Sequence, residues 1–162
     1  MPFPAYMWVK NSEGNDVKGS VPIKGREGSI EIQQFNHELT LPVDPITSKP
    51  QGTRRHNPVV LIKEFDASSP YLYRACKDGE TLNSIEIKWY QIDKSGKETE
   101  YFNHLLEGCR VTSVKALMHN TKEAVKKDTG HLEEVSISYD KITWTYVDGT
   151  ISATDDWKAD QA

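Results

Sequence analysis

The chain has 162 residues, of which 36% are hydrophobic and 27% charged, and its formal net charge is −4. This length fits a single domain, and a chain of this size buries about 68–70% of its unfolded surface, enough for a core without a metal or disulfide. Four Trp, seven Tyr and four Phe argue against intrinsic disorder. The slight acidity argues against a nucleic-acid-binding protein, which needs a basic excess to neutralise phosphates.

Apolar and polar residues alternate along most of the chain, which predicts a protein built mainly of strands. The predicted strands, in chain order, are Tyr6–Val9, Ser29–Leu41, Val59–Phe65, Asn83–Ile92, Glu98–Leu106, Arg110–His119 and Leu132–Val147. The turn sequence Asp93–Gly96 joins two of them into a hairpin.

Two features mark the predicted end of the sheet region. The apolar face of Leu132–Val147 switches near Asp140, which predicts a bulge or bend there. The turn sequence Asp148-Gly149 ends the regular pattern. We therefore expect one domain over residues 1–162, with a C-terminal tail from about residue 152.

One segment breaks the alternation and predicts a short helix. Ser69 suits the N-cap, Pro70 the first helical position, and Gly79 the position after the last turn, where φ is positive. So short a helix is marginal alone, so it must dock on the sheets. Its apolar face consists of Tyr71, Leu72, Ala75 and Cys76.

Two long connections are predicted. Five residues of Pro42–Pro58 are proline or glycine, so this segment is neither a central strand nor a helix interior. Its length exceeds that of an ordinary structureless connection, which indicates a functional or packing role. The charged stretch Asn120–Gly130 is predicted to be a solvated connection.

The sequence carries no recognisable catalytic or metal-binding motif. The histidines show no spacing typical of metal ligands with each other or with cysteine, and they are predicted to be scattered over the sheets and surface. Cys76 and Cys109 are predicted to be free thiols, although a single bridge is possible. The four tryptophans, mostly strand residues, favour core packing over a carbohydrate platform.

Several stretches of the sequence are informative when taken together: Thr53–Pro58, Lys63-Glu64, Ser68–Ala75, Lys88–Tyr90, Ile142–Trp144 and Asp155–Trp157. In this order, over nearly the whole chain, they resemble the Hcp (haemolysin-coregulated protein) family of bacterial type VI secretion systems. The resemblance implies a mainly β fold: a compact barrel of two antiparallel sheets with one short flanking helix and a long extended loop.

The same resemblance implies a structural, non-enzymatic function without cofactors. Members form homo-hexameric rings that stack into a tube inside a contractile sheath, beneath a spike protein of the valine–glycine-repeat family, and small effectors ride in the lumen. Such a protein assembles in the bacterial cytoplasm and is then secreted by its own machine, which agrees with the lack of a signal-peptide pattern at the N-terminus. No nucleic acid and no membrane insertion are expected.

The resemblance also gives candidate contact residues, because the long loop of the family reaches a neighbouring subunit or ring. The matching candidates are Val43, Asp44, Pro45, Ile46, Thr47, Lys49, Thr53, Arg54, Arg55 and His56. Two alternatives stay open: a monomeric small barrel that binds a ligand, and an enzyme that uses histidine and carboxylate groups on the barrel surface. The oligomeric state separates the ring from the first alternative.

Overall fold

The computed structural model of the protein describes residues 3–123 and 130–159. Our prediction for Asn120–Gly130 falls largely outside these ranges. The described part contains twelve strands and one helix. Their bounds are β1 Ala5–Lys10, β2 Asp16–Val17, β3 Ile30–Ile32, β4 Gln34–Asn36, β5 Leu39–Thr40, β6 Arg55–His56, β7 Val59–Glu64, α1 Ser69–Asp78, β8 Leu82–Ile92, β9 Glu98–Leu117, β10 Leu132–Ser138, β11 Lys141–Tyr146 and β12 Ile151–Asp155.

Strand β9 belongs to both sheets of the barrel. Its first half pairs with β8 on one edge and with β11 on the other, and its second half pairs with β10. We predicted two separate strands, Glu98–Leu106 and Arg110–His119, and this was wrong because Gly108 bends the strand without ending it. Gly108 has φ +64°, and a Cβ there would lie 2.6 Å from a carboxylate oxygen of Asp140.

The barrel closes through β3 and β4. Strand β3 pairs with β1, whereas β4 pairs with β7, and only Gln33 separates the two short strands. The predicted strand Ser29–Leu41 is therefore divided between the two sheets. Strand pairing closes around the barrel in the order β1, β8, β9, β10, β7, β4–β3 and back to β1. The barrel therefore closes on itself instead of ending in an open sheet edge.

The predicted bend near Asp140 is confirmed. Strands β10 and β11 lie end to end along β9, and the backbone N–H of Asp140 between them donates to the carbonyl of Glu107 at 3.0 Å. The expectation that regular structure ends at Asp148-Gly149 was wrong, because β12 pairs with β11 over five residues. The predicted tail therefore begins with a strand, which places Asp155 beside the barrel.

The core consists of the inward faces of the barrel strands and the helix. Ile85, Ile87 and Leu106 are fully buried, as is Leu72 of the helix. Three of the tryptophans, Trp89, Trp144 and Trp157, pack against this core, in agreement with our prediction.

The helix has the predicted face and end, but a different N-cap. Gly79 is left-handed, with φ 65°, and closes the helix as expected. The N-cap is Ser68, and Ser69 is the first helical residue. The Ser69 hydroxyl instead donates to the carboxylate of Glu133 at 2.7 Å, and so ties the helix to β10.

A buried ion pair lies beneath this helix start. Lys63 of β7 and Glu133 of β10 are both 0% exposed, and the Lys63 ammonium donates to the Glu133 carboxylate. The same ammonium also donates to Asp66 at 3.0 Å and to the Ser69 hydroxyl at 3.1 Å. Removal of one partner alone leaves a buried charge uncompensated, so this pair constrains how the helix meets the sheet.

Within the described ranges, no helix has the length and apolar character that a membrane span requires.

Candidate assembly site

Residues 39–56, here called the arm, form a hairpin, where we predicted a long extended loop over Pro42–Pro58. At its base β5 pairs with β6, and farther out Val43 bridges to Pro50. Between them, the N–H of Gln51 donates to the carbonyl of Pro42 at 2.8 Å. The prolines permit this pairing because each occupies a position from which the hairpin needs no N–H group.

The tip of the arm is held by one carboxylate. Asp44 accepts the backbone N–H groups of Ile46 at 2.7 Å and Thr47 at 3.1 Å. Its own N–H donates to the carbonyl of Lys49 at 2.8 Å, and Ser48 takes a left-handed conformation with φ 58°. The tip is thus a defined turn, so the backbone of Ile46 has a fixed place.

The arm exposes apolar side chains. Ile46 at the tip is 91% exposed. Leu39, Leu41 and Val43 alternate along the first strand of the arm, and each is between 43% and 52% exposed. Side chains two residues apart in an extended strand lie on one face, so these three form a stripe that leads towards the tip. A stripe of this kind marks a contact surface.

The structure divides the ten predicted site residues into two groups. Pro45, Ile46, Thr47, Lys49, Thr53 and Arg55 are exposed, as is Val43 at about half. Asp44 holds the tip, whereas Arg54 and His56 point into the protein at the base of the arm. Leu39 and Leu41 were missed, although their alternation with Val43 is visible in the sequence.

The base of the arm is held by a group of side chains from distant parts of the chain, here called the root cluster. Both His37 Nε2 and His56 Nδ1 lie within hydrogen-bond distance of the Tyr139 hydroxyl, at 2.7 and 2.6 Å. His56 Nε2 meets Asp155 at 2.6 Å. The members of the root cluster are His37, Arg54, His56, Tyr139, Asp155 and Trp157.

Arg54 and Trp157 complete the root cluster. Arg54 donates to both carboxylate oxygens of Asp155, at 2.5 and 2.6 Å. The ring of Trp157 stacks on that of His56 at 5.5 Å, and its indole N–H donates to the carbonyl of Tyr139 at 2.7 Å. The C-terminal strand and the segment after it thereby fasten the second strand of the arm, whereas His37, just before the first strand, is held by Tyr139.

The electrostatics of the root cluster follow from burial and from the arginine. The hydrogen bonds from Arg54, with a smaller contribution from His56, hold the pKa of Asp155 below its usual value. Burial raises the pKa of Tyr139 well above that of a free phenol. Burial, together with the positive charge that His56 can carry, lowers the pKa of His37.

The arrangement resembles a catalytic relay, but its geometry does not suit one. A carboxylate, an imidazole and a hydroxyl lie in sequence, as in nucleophilic catalysis. Tyr139 is only 2% exposed and the His56 side chain only 1%, so a substrate has no access to either group. The raised pKa of Tyr139 also keeps its proton in place.

The prediction of scattered surface or sheet histidines was wrong for two of the five, because His37 and His56 share Tyr139. His104 is a sheet histidine in β9, and its Nδ1 atom accepts the indole N–H of Trp89, 2.8 Å away. No spacing signals these contacts, because His56 and Asp155 lie 99 residues apart in the sequence. Only the paths of β6 and β12 bring them together.

Both cysteines are free thiols, as predicted. Cys76 is partly exposed, and Cys109 is buried in the core. Burial raises the pKa of Cys109 to about 12, which makes it an inert thiol. Among the described residues, no group of three potential ligands could hold a metal ion.

Comparison with known proteins decides the family. The family model described as "Type VI secretion system effector, Hcp" matches residues 6–146. The chain belongs to the Hcp family. Hcp proteins are secreted structural proteins of the type VI secretion system and not a family of enzymes.

Individual relatives agree with this assignment over the whole chain. The "Major exported protein" of Pseudomonas aeruginosa strain PAO1 is 36% identical, with 98% of each chain covered. A mutant form of the Hcp1 protein from the E. coli EAEC 042 pathovar is 48% identical, has a TM-score of 0.86, and covers 96% of this chain and 99% of its own. The secreted protein Hcp3 from P. aeruginosa is 31% identical, with a TM-score of 0.78 and the same coverage. The predicted family and the predicted mainly β fold are therefore confirmed.

Proposed function

We propose that this Hcp protein is the repeating unit of the type VI tube, and that the arm carries the contact between neighbouring copies. The observation that carries the proposal is the arm itself, an ordered hairpin with an exposed apolar stripe and an isoleucine 91% exposed at its tip. Exposed apolar surface is costly for a protein that remains alone.

The fixed shape of the arm favours a docking function. Asp44 orders the tip, and the root cluster orders the base, before any partner arrives. Preorganised segments lose less conformational entropy on binding, so more of the contact energy appears as affinity.

The complete assembly follows from the family. Six copies form a ring, and rings stack into a tube inside a contractile sheath beneath a spike of the valine–glycine-repeat family. Small effectors travel in the lumen, and the tube assembles in the bacterial cytoplasm before secretion. The name of the P. aeruginosa relative, "Major exported protein", supports the export step.

Light scattering and electron microscopy of the purified full chain test the proposal. We expect a species of six copies and rings with an open centre. A chain that stays monomeric at high concentration contradicts the proposal and favours the ligand-binding alternative. The interior of the barrel offers that alternative little support, because Met7, Ile30 and Leu61 fill it at 0–1% exposure.

The role of the arm is tested separately. We expect Ile46→Asp to shift the protein to monomers without unfolding it, because the charge lies at the proposed contact. Lys94→Asp is the matched control, since it places the same residue at the tip of the β8–β9 hairpin. Deletion of Thr47–Gly52 is expected to weaken assembly in the same way. Unchanged hexamer content in both arm variants excludes the arm as the contact.

A further inference from the structure

The root cluster joins the two sides of the arm through one hydroxyl group, that of Tyr139. His37 lies just before β5 and His56 lies in β6, so the two imidazoles come from opposite sides of the arm. Both meet the Tyr139 hydroxyl, at 2.7 and 2.6 Å. The hydroxyl has one hydrogen to donate, so it can serve as donor to only one of the two rings.

With both histidines neutral, one direction of hydrogen bonding satisfies every group. His56 donates from Nε2 to Asp155, and its Nδ1 then accepts the hydrogen of the Tyr139 hydroxyl. His37 donates from Nε2 to the oxygen of the same hydroxyl. All three contacts are made, and each has a donor and an acceptor.

The cluster also accommodates one additional proton. If His56 carries hydrogen on both nitrogens, it donates from both, the Tyr139 hydroxyl turns to donate to Nε2 of His37, and the hydrogen of His37 moves from Nε2 to Nδ1 so that Nε2 can accept. The His56 ring then lies between the carboxylate of Asp155 and the face of Trp157. One proton can thus be taken up without the loss of a contact.

The cluster cannot bind a second additional proton without losing a hydrogen bond. Both imidazolium rings then donate to the Tyr139 oxygen, and the hydroxyl hydrogen loses its acceptor inside the cluster. His37, His56 and Arg54 are then three cations close to the carboxylate of Asp155. An unsatisfied buried hydroxyl and repulsion between like charges both destabilise the closed arrangement.

The neighbouring groups do not offset this repulsion. Glu38 follows His37 in sequence, but its side chain accepts from Asn57 at 3.4 Å. His104 of β9 contacts the ring of Phe35 at 5.3 Å, and positive charge on His37 opposes its protonation. Asp155 is shared already with Arg54 through two hydrogen bonds.

We propose that the root cluster is an acid-sensitive latch, which fastens the arm at neutral pH and releases its base when both His37 and His56 are protonated. The release loosens the strand pair β5–β6 and leaves the barrel folded. The consequence for assembly rests on the proposed function. A released arm weakens the contact between copies, so acid dissociates the copies of the tube from one another.

The direction of the pH dependence follows from linkage. The closed arm binds the second proton less well than the open arm, because burial and His56 lower the pKa of His37. Acidification therefore favours the open arm, with the effect beginning below the ordinary pKa of about 6.5. Asp155 stays ionised in this range, since its pKa is lowered.

Hydrogen exchange of the full chain, followed by mass spectrometry between about pH 7.5 and about pH 5, tests the latch. The readout is the protection of residues 37–41 and 53–57, relative to the β8–β9 hairpin at the same pH. We expect this ratio to fall roughly tenfold or more in the wild type. Equal ratios at the two pH values overturn the proposal.

Three variants make the test specific. His37→Gln keeps an amide donor for Tyr139 but removes the second titrating ring, so its ratio should change by less than about threefold. His131→Gln, an exposed histidine in contact with Phe65, should behave as the wild type. Tyr139→Phe should show low protection already at neutral pH. A His37→Gln protein that opens as the wild type does overturns the proposal.

The readout separates this proposal from the previous one. Exchange at the base of the arm reports the latch whether or not rings form, whereas light scattering at the same pH values reports assembly. Rings that persist in acid while the arm base opens contradict the link between latch and assembly. If the chain is monomeric and the base of its arm opens in acid, the latch proposal is supported and the ring proposal is contradicted.

Discussion

Two hairpins of this protein close with the same kind of turn hydrogen bonds but differ in what stabilises their strands. In the arm, Asp44 accepts the N–H groups of Ile46 and Thr47, and its own N–H donates to Lys49. In the β8–β9 hairpin, Asp93 accepts the N–H groups of Ser95 at 2.8 Å and Lys97 at 3.0 Å, and its own N–H donates to Lys97.

The strands behind the two turns differ completely. Strand β8 lies between β1 and β9, and Ile85 and Ile87 point from it into the core at 0% exposure. The arm has one short strand pair and one isolated bridge, and its apolar residues face solvent. A two-stranded hairpin without a packed face is marginal in water.

The comparison shows that turn geometry and strand stability are separate problems. Asp93 closes a hairpin that the core already stabilises. Asp44 closes a hairpin that depends on the root cluster at one end and, in our proposal, on a neighbouring copy along its face. The same local motif therefore serves the fold in one place and the contact in the other.

The largest expected difference between the two hairpins lies in their isoleucines. Ile87→Ala should lower the free energy of unfolding by about 2–4 kcal/mol, because it leaves a cavity in the core. Ile46→Ala should change it by less than about 0.5 kcal/mol. Urea unfolding of both variants at one protein concentration measures this. Similar losses in the two variants remove the distinction between the hairpins.

Acid should destabilise the β8–β9 strand pair through His104. Desolvation by burial, and secondarily His37, lower its pKa to about 4, and its Nδ1 must stay unprotonated to accept from Trp89. The unfolded chain binds this proton at a higher pH, so stability present above pH 6.5 is lost as the pH falls towards 4. The loss amounts to about 3 kcal/mol at most.

The contribution of His104 is measured as a difference. The free energy of unfolding of the wild type and of His104→Gln is compared between about pH 7 and about pH 4. The variant should show the shallower dependence, while depressed carboxylates such as Asp155 contribute equally to both proteins. Parallel curves exclude His104 as the titrating group.

A smaller effect is expected at the base of the arm. Asp155→Asn removes the charge that Arg54 and His56 share, and should cost about 1–3 kcal/mol. Hydrogen exchange should rise over residues 53–57 and stay unchanged in the β8–β9 hairpin. Asp156→Asn, at the exposed neighbouring position, is the control. Equal acceleration in both hairpins means that the cluster supports the barrel rather than the arm.

The smallest effect is expected at the tip of the arm. Asp44→Ala should accelerate amide exchange of Ile46 and Thr47, because both N–H groups lose their acceptor. The urea midpoint should not move, because the tip lies outside the packed core. A midpoint shift as large as that of Asp155→Asn shows that arm and barrel unfold together.

The sequence by itself determined the strands, the helix and the family. Alternation placed Ile85 and Ile87 on one face, and Gly79 marked the end of the helix, because both signals act over a few neighbouring residues. The stretches shared with the Hcp family gave the fold class directly. The predicted break after Leu106 was wrong, because Gly108 adopts a left-handed conformation against Asp140 within one continuous strand, and this close approach is visible only in the structure.

Only the tertiary structure decided how the arm is fastened. His56 lies in β6 and Asp155 in β12, whereas His37 and Tyr139 lie in connections between strands, and their hydrogen bonds span between 83 and 102 residues. No spacing rule relates such residues, because the distance between them is set by the closure of the barrel and by the path of β12. The sequence thus predicted the long loop as the contact, and the fold shows that this loop is a hairpin held at its base by the root cluster.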